Sequence, residues 1–242
     1  MKLAVSGKGG VGKTTVASML IRTFNETGKR VLAIDADPDA NLAAGIGIGN
    51  AGDIVPISEM KELVFERTGA QPGSIGGFFK LNPKVDDLPD ALSATFENIK
   101  LMRLGGVKKG GAGCICPEST LLRALVMHIV LARDEVVVMD MEAGIEHLGR
   151  ATAKAVDKLI VVVEPGRRSI DTAGHIRQLA SEIGLKNIAI VGNKVRSEKD
   201  KEFLRTHLAD FHILGFLPYS NSLIEADLSG CLLYTSPSPR DL

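Results

Sequence analysis

The residues Gly7-Lys8-Gly9-Gly10-Val11-Gly12-Lys13-Thr14-Thr15 have the types and spacing of a phosphate-binding loop. Gly7, four residues and then Gly12-Lys13-Thr14 match the Walker A pattern. Gly9, Gly10 and Gly12 let consecutive backbone N–H groups, that of Val11 included, curl around phosphate oxygens without side chains intervening. A helix starting at Lys13 turns its positive end toward the same anion. Lys13 is expected to bridge the β- and γ-phosphates, Thr14 to hold Mg²⁺ through its hydroxyl, and Thr15 to reach the α-phosphate. A second cation, Lys8, sits at the loop's tip, where it cannot easily fold back on its own chain's phosphates. Near a γ-phosphate such a charge would stabilise phosphoryl transfer, as an arginine finger does.

Two acidic segments complete the expected chemistry. Asp35-Ala36-Asp37-Pro38-Asp39 closes one apolar run, and three acids there suit water activation and contacts to the Mg²⁺ shell. Asp35 reads as an outer partner of the metal or as a structural acceptor, and Asp39 as a solvated loop charge. Val136–Met139 ends in Asp140, an apolar run closed by one acid, which is the Walker B pattern. Gly144 can offer its N–H to the γ-phosphate, so losing that phosphate would move the loop. At the end of a later run, Asn193-Lys194 is placed to meet a purine edge. No Asp follows at the spacing a guanine-specific Asn-Lys-x-Asp requires, which favours ATP over GTP.

Cys114-Ile115-Cys116, preceded by glycines, is a second candidate site. In an extended segment residues two apart share a side, so both thiols could approach one metal. Two thiolates leave a tetrahedral site half built, and a twofold axis would supply the other two. Sulfur ligands suit Zn²⁺, Cu⁺ or Ni²⁺. Two buried structural cysteines and a redox pair are the competing readings.

These residues must be held by elements that alternate. Strands are expected at Lys2–Ser6, Val31–Asp35, Ile99–Leu104, Glu135–Asp140, Lys158–Val163, Asn187–Asn193 and His212–Leu217. Helices are expected at Lys13–Asn25, Ser58–Arg67, Ser119–Ala132, His147–Ala155, Ser169–Ile183 and Lys199–Leu208. Most of the strands are apolar on both faces, as strands covered by helices on each side must be. The alternation predicts an α/β fold with a mostly parallel sheet and ligands at the carboxyl ends of its strands. Residues 1–230 read as a single domain, with 45–98 as an insertion decorating the sheet edge. Residues 231–242, rich in Ser and Pro, read as a translated adapter sequence or a disordered tail. His128, in mid-helix, reads as a packed residue, and His147 as a sensor of nucleotide state or a helix cap.

Composition agrees with a globular ATPase. In 242 residues, 29 Lys+Arg balance 29 Asp+Glu, so no global charge excess points to nucleic acid or acidic membranes. Aromatics are 4% and Trp is absent, which disfavours a base-stacking platform. No apolar run is long enough to span a bilayer. Three cysteines, an odd number, argue against a disulfide framework and for a reducing cytoplasm.

With Lys8 added to the Walker A pattern, the loop resembles the deviant Walker A family, which includes MinD/ParA partition ATPases and the nitrogenase iron protein. The resemblance implies a P-loop NTPase fold and a nucleotide-sandwich homodimer with Lys8 acting in trans. It makes Asp37 the residue that orients or deprotonates the attacking water. It also sets Asn193 and Pro218 beside adenine. Glu142 departs from the partition branch, where proline is common. Cys114 and Cys116 together with Asp140-Met141-Glu142-Ala143-Gly144-Ile145-Glu146-His147-Leu148-Gly149-Arg150 are similar to the carbon monoxide dehydrogenase maturation ATPases. That branch implies Ni²⁺ or Zn²⁺ at the cysteine pair on the dimer interface. The implied client is carbon monoxide dehydrogenase or acetyl-CoA synthase, without nucleic acid or membrane as a partner. A partition-type positioning switch and an iron–sulfur carrier are the rival readings.

Overall fold

The computed structural model describes residues 1–49, 53–70, 79–105, 117–145, 148 and 150–223. One eight-stranded sheet organises them, in the order β3-β4-β2-β5-β1-β6-β7-β8. The strands are β1 (Lys2–Gly7), β2 (Val31–Ala36), β3 (Ala94–Phe96), β4 (Ile99–Arg103), β5 (Val136–Met141), β6 (Lys158–Val163), β7 (Ile188–Val195) and β8 (His212–Pro218). Every neighbouring pair is parallel except β3 with β4. The expected mostly parallel α/β sheet is therefore present, and all seven predicted strands lie within it.

The helices are α1 (Lys13–Glu26), α2 (Leu42–Ile46), α3 (Lys61–Thr68), α4 (Leu88–Ala91), α5 (Pro117–Ala132), α6 (Arg150–Ala153), α7 (Arg167–Ile183) and α8 (Glu198–His207). They cover both faces of the sheet because the central strands are apolar on both sides. Leu3, Val5, Val31, Ala33 and Val138 face one layer, packed with Val16 and Ile21 of α1. Ala4, Leu32, Ile34, Val137 and Met139 face the other, packed with Leu121 and Leu125 of α5 and Ile176 of α7. Each large aliphatic side chain withdrawn from water in this way contributes about 1.5–3 kcal/mol. Alternate residues point to opposite faces, so a one-residue slip would exchange the two layers.

The segment that interrupts the alternation does more than border the sheet. Its β3 pairs antiparallel with β4 at the edge, and Ile57, Val64, Val85 and Leu88 enter the core under α5. The helix expected at Ser58–Arg67 is divided. A 3-10 turn at Ile57–Glu59 ends at Met60, whose ψ of 77° is not helical, and α3 then begins at Lys61. The Ser58 N–H donates to the Leu104 carbonyl beyond β4 (3.0 Å), which bends the chain there. The expected His147–Ala155 helix appears as α6 at Arg150–Ala153, His147 itself lying outside the described residues. Helix α8 starts with a capping box: Ser197 accepts from the Asp200 N–H, and the Asp200 carboxylate accepts from the Ser197 N–H. The first strand, β1, runs straight into the phosphate loop, and β2, β5, β6 and β7 end around it.

Candidate functional site

The loop between β1 and α1 is shaped by glycines. Gly12, the residue before α1, has φ of 92°, and a Cβ there would collide with the Asn193 amide. No side chain caps α1, so the N–H groups of its first turn remain available to an anion. Beside the loop lies a cleft of about 960 Å³ lined by Gly9, Gly10, Gly12, Lys13, Thr14, Thr15, Asp37, Glu142, Asn193, Lys194, Pro218 and Tyr219, among others. Apart from Val11 and Gly144, the residues expected to hold phosphates and base thus share one cavity. Val11 is fully buried behind the loop and contributes no lining surface.

On the cleft floor Lys13 and Asp37 face each other, with Nζ 3.7 Å from Oδ2. The lysine expected to bind phosphate and the aspartate expected to place water are therefore adjacent. Thr14 Oγ1 donates to Asp140 Oδ2 at 2.6 Å, which unites the two residues expected around Mg²⁺. The other carboxylate oxygen, Asp140 Oδ1, is buried and has no hydrogen-bond partner among the described residues. Burial raises the Asp140 pKa to about 7; neighbouring Asp35 and Asp37 add to the rise, and Thr14 and Lys13 oppose it. An unpartnered buried carboxylate oxygen beside a threonine hydroxyl is an all-oxygen donor set of the kind Mg²⁺ takes, so the residues fit the metal.

Asp35 is the β2 register neighbour of Asp140. Its two oxygens are used differently, one accepting from the Asp37 N–H (3.3 Å) and the other from the Leu42 N–H (3.1 Å). Burial lifts its pKa to about 6 against the pull of those two bonds and of Arg103. Asp35 thereby pins the segment that carries Asp37, which makes it a structural acceptor. Asp39 donates its own N–H to Asp37 Oδ1 at 3.1 Å.

The strand ends on the other side fasten the loop. A register shift separates Gly192 from Val195, and Lys194 between them has φ of 57°. This irregularity turns Asn193 and Lys194 toward the phosphate loop. Asn193 Nδ2 donates to the Val11 carbonyl at 2.8 Å, and Lys194 Nζ donates to the Gly10 carbonyl at 2.5 Å. Asn193, expected at the adenine edge, lines the cleft with its amide already bonded to the loop. Tyr219 lies at the same end, with the Arg196 guanidinium 4.3 Å from its ring centre.

Gly144 is turned away from the cleft. Its N–H donates to the Glu142 carbonyl (2.7 Å), while Glu142 and Ala143 form the lining. Ser6 Oγ, at the end of β1, bonds the Gly144 carbonyl (2.8 Å) and approaches that of Glu142 (3.1 Å). Lys8 stands on the rim with Nζ 3.7 Å from Glu164 Oε1. Sequence reasoning passed over both Ser6 and Glu164. The available signal was their position at carboxyl ends of strands, where ligands gather in such sheets. Cys114 and Cys116 lie outside the described residues. Among the described residues no group of three or more His, Cys, Asp or Glu side chains could hold a metal, and no helix is long and apolar enough to cross a membrane.

Comparison with known proteins decides the lineage of this site. The profile of the CobQ/CobB/MinD/ParA nucleotide-binding domain matches residues 2–233. The chain belongs to the MinD/ParA family of nucleotide-binding proteins. It is 47% identical over 244 residues to the carbon monoxide dehydrogenase accessory protein CooC of Rhodospirillum rubrum, covering 100% of this chain and 92% of that protein. It is 46% identical to an uncharacterized ATP-binding protein of Methanocaldococcus jannaschii, covering 95% of this chain and 90% of that one. Among solved structures, MinD in the MinC:MinD complex of Aquifex aeolicus superposes with a TM-score of 0.66 at 22% identity, over 95% of this chain and 85% of that one. A ParA family ATPase of Chlorobium tepidum does so with 0.66 at 17% identity, over 96% and 90%. At these identities the structural likeness establishes the P-loop NTPase fold. The family binds nucleotides, and the cleft beside Lys13, Thr14 and Asp140 is the candidate site for one.

Proposed function

We propose that the chain is a cytoplasmic, homodimeric ATPase that couples ATP binding and hydrolysis to nickel insertion into carbon monoxide dehydrogenase or the related acetyl-CoA synthase. The observation that carries this reading is the 47% identity to CooC across the whole chain. The geometry supports the ATPase half. Lys13 leaves Asp37 to meet the β- and γ-phosphates. The Asp37 carboxylate, released from that pair, accepts a hydrogen bond from water and aims it at the γ-phosphorus, so positioning contributes more than proton abstraction by so weak a base. Thr14 would hold Mg²⁺ through its hydroxyl and Asp140 through a metal-bound water, and the cation would supply neutralisation of phosphate charge. Gly144 exchanges its bond to Glu142 for one to the γ-phosphate and relays phosphate loss to the following loop. Lys8 crosses to the nucleotide of the second copy. Asn193 and Pro218 border the adenine.

The thiolates of Cys114 and Cys116, paired about the twofold axis, close a four-sulfur site for the metal cargo. Elemental analysis of the dimer after Ni²⁺ or Zn²⁺ loading tests the reading, with a Cys114→Ser/Cys116→Ser variant alongside. About one metal per dimer, absent from the variant, is the expected result. A dimer that forms with ATP and carries no cysteine-dependent metal would refute nickel delivery and leave a MinD/ParA-type positioning switch.

A further inference from the structure

Glu164 follows β6 directly and stands between two lysines. Its Oε1 lies 3.7 Å from Lys8 Nζ, and its Oε2 lies 3.5 Å from Lys194 Nζ. Its backbone is held as well, since the Glu164 N–H donates to Ser169 Oγ (3.1 Å) in the first turn of α7. The carboxylate is thus presented from a fixed strand end rather than from a swinging loop. Lys194, the second lysine, grips the Gly10 carbonyl. One carboxylate therefore holds the tip of the phosphate loop on the flank of its own protomer.

We infer that Glu164 is a positioning residue that keeps Lys8 on its own protomer until ATP in a second copy draws it away. This rests on the trans role proposed for Lys8. A lysine cannot pair with Glu164 of its own chain and with a γ-phosphate across a twofold axis at once. Each protomer must break the Lys8–Glu164 pair before the nucleotide sandwich closes. The competitor is well chosen in strength. A half-exposed ion pair is weak, so a nucleoside triphosphate, with its greater charge in a water-poor interface, displaces it, whereas a diphosphate lacking the γ-oxygens does not. The freed carboxylate remains paired with Lys194, so no charge is stranded. Glu164 thereby makes dimerisation depend on the γ-phosphate and suppresses association of nucleotide-free chains.

The test is the ATP-dependent dimerisation constant of the full chain, measured by sedimentation for wild type, Glu164→Gln, Lys8→Ala and the double variant. Glutamine preserves size and hydrogen bonding while removing charge. Loss of a pair of this exposure corresponds to about a 1.4- to 5-fold change per protomer. Because two lysines are released, Glu164→Gln is expected to tighten the dimer by about 2- to 25-fold and to allow some dimer with ADP. Circular dichroism melting checks that each variant is folded. In the Lys8→Ala background the Glu164 change should have no further effect, which a double-mutant cycle reads directly. If Lys8→Ala weakens the dimer and Glu164→Gln leaves it unchanged or weaker, the role of Glu164 is overturned while the trans lysine stands. If Lys8→Ala dimerises with ATP like wild type, the trans role fails and that of Glu164 falls with it.

Discussion

The carboxyl ends of β2 and β5 carry neighbouring aspartates in register, both buried, and the two use their oxygens differently. Asp35 spends its oxygens on the Asp37 and Leu42 N–H groups. Asp140 gives one oxygen to Thr14 and leaves Oδ1 without a partner among the described residues. Burial raises both pKa values, to about 6 and about 7 respectively. The local environment is nearly the same, and what differs is the inventory of donors. A carboxylate whose donors are all backbone belongs to the scaffold. One with an orphaned oxygen carries an unmet desolvation cost, which the Mg²⁺ proposed above would relieve.

The sharpest way to break this comparison is Asp140→Asn. It should lower Mg²⁺-dependent ATP turnover by at least about 100-fold, the scale on which removal of a charge-stabilising group acts, as read by phosphate release. The same substitution removes a buried charge whose desolvation Lys13 and Thr14 offset only in part. The nucleotide-free protein should therefore melt higher, by about 2–4 °C for each kcal/mol relieved, in a thermal scan at neutral pH. Lower turnover with a lower melting temperature would return Asp140 to a purely structural role.

Asp35→Asn should behave in the reverse sense. An amide turns a donor toward one of two backbone N–H groups, costing about 1–3 kcal/mol. The expected outcome is a lower melting temperature and a kcat reduced through misplacement of Asp37, with the Mg²⁺ dependence of nucleotide binding retained in a titration. An Asp35 variant that loses its response to Mg²⁺ while staying as stable as wild type would erase the distinction between the two strand ends.

The smallest effect is in the pH profile. A folded-state pKa raised above the unfolded value of 3.8 for both groups means that the folded chain binds protons more tightly than the unfolded one. Their contribution to stability is full below about pH 4 and is lost as pH rises through about 6 and 7. Denaturant melts of nucleotide-free protein should show this decline across that window, and Asp140→Asn should remove its upper part. Saturating Mg²⁺ and ATP should flatten it, since bound cation favours the charged carboxylate.

Much of this site was legible in the chain before any coordinates. The glycines of the phosphate loop, Lys13 with Thr14, and an acid closing each of two apolar runs are contiguous patterns, and the strand–loop–helix that contains them is set by local conformational limits. Continuous β-branched runs announced buried parallel strands. The short β3 and the five-residue α2 escaped notice because their formation depends on the edge of β4 and on contact with α1 rather than on their own periodicity.

The sequence by itself therefore determined the fold class, the phosphate loop and the chemical types around it, since backbone conformation and side-chain period act over a few residues. Tertiary structure alone decided who meets whom. Thr14 finds Asp140 across 126 positions and Asn193 fastens Val11 across 182. Glu164, silent as a letter, becomes the partner of Lys8 only because β6 lies beside β1 in the sheet. Such pairings follow from strand order, which the packing of two hydrophobic layers selects and which no short window of residues encodes.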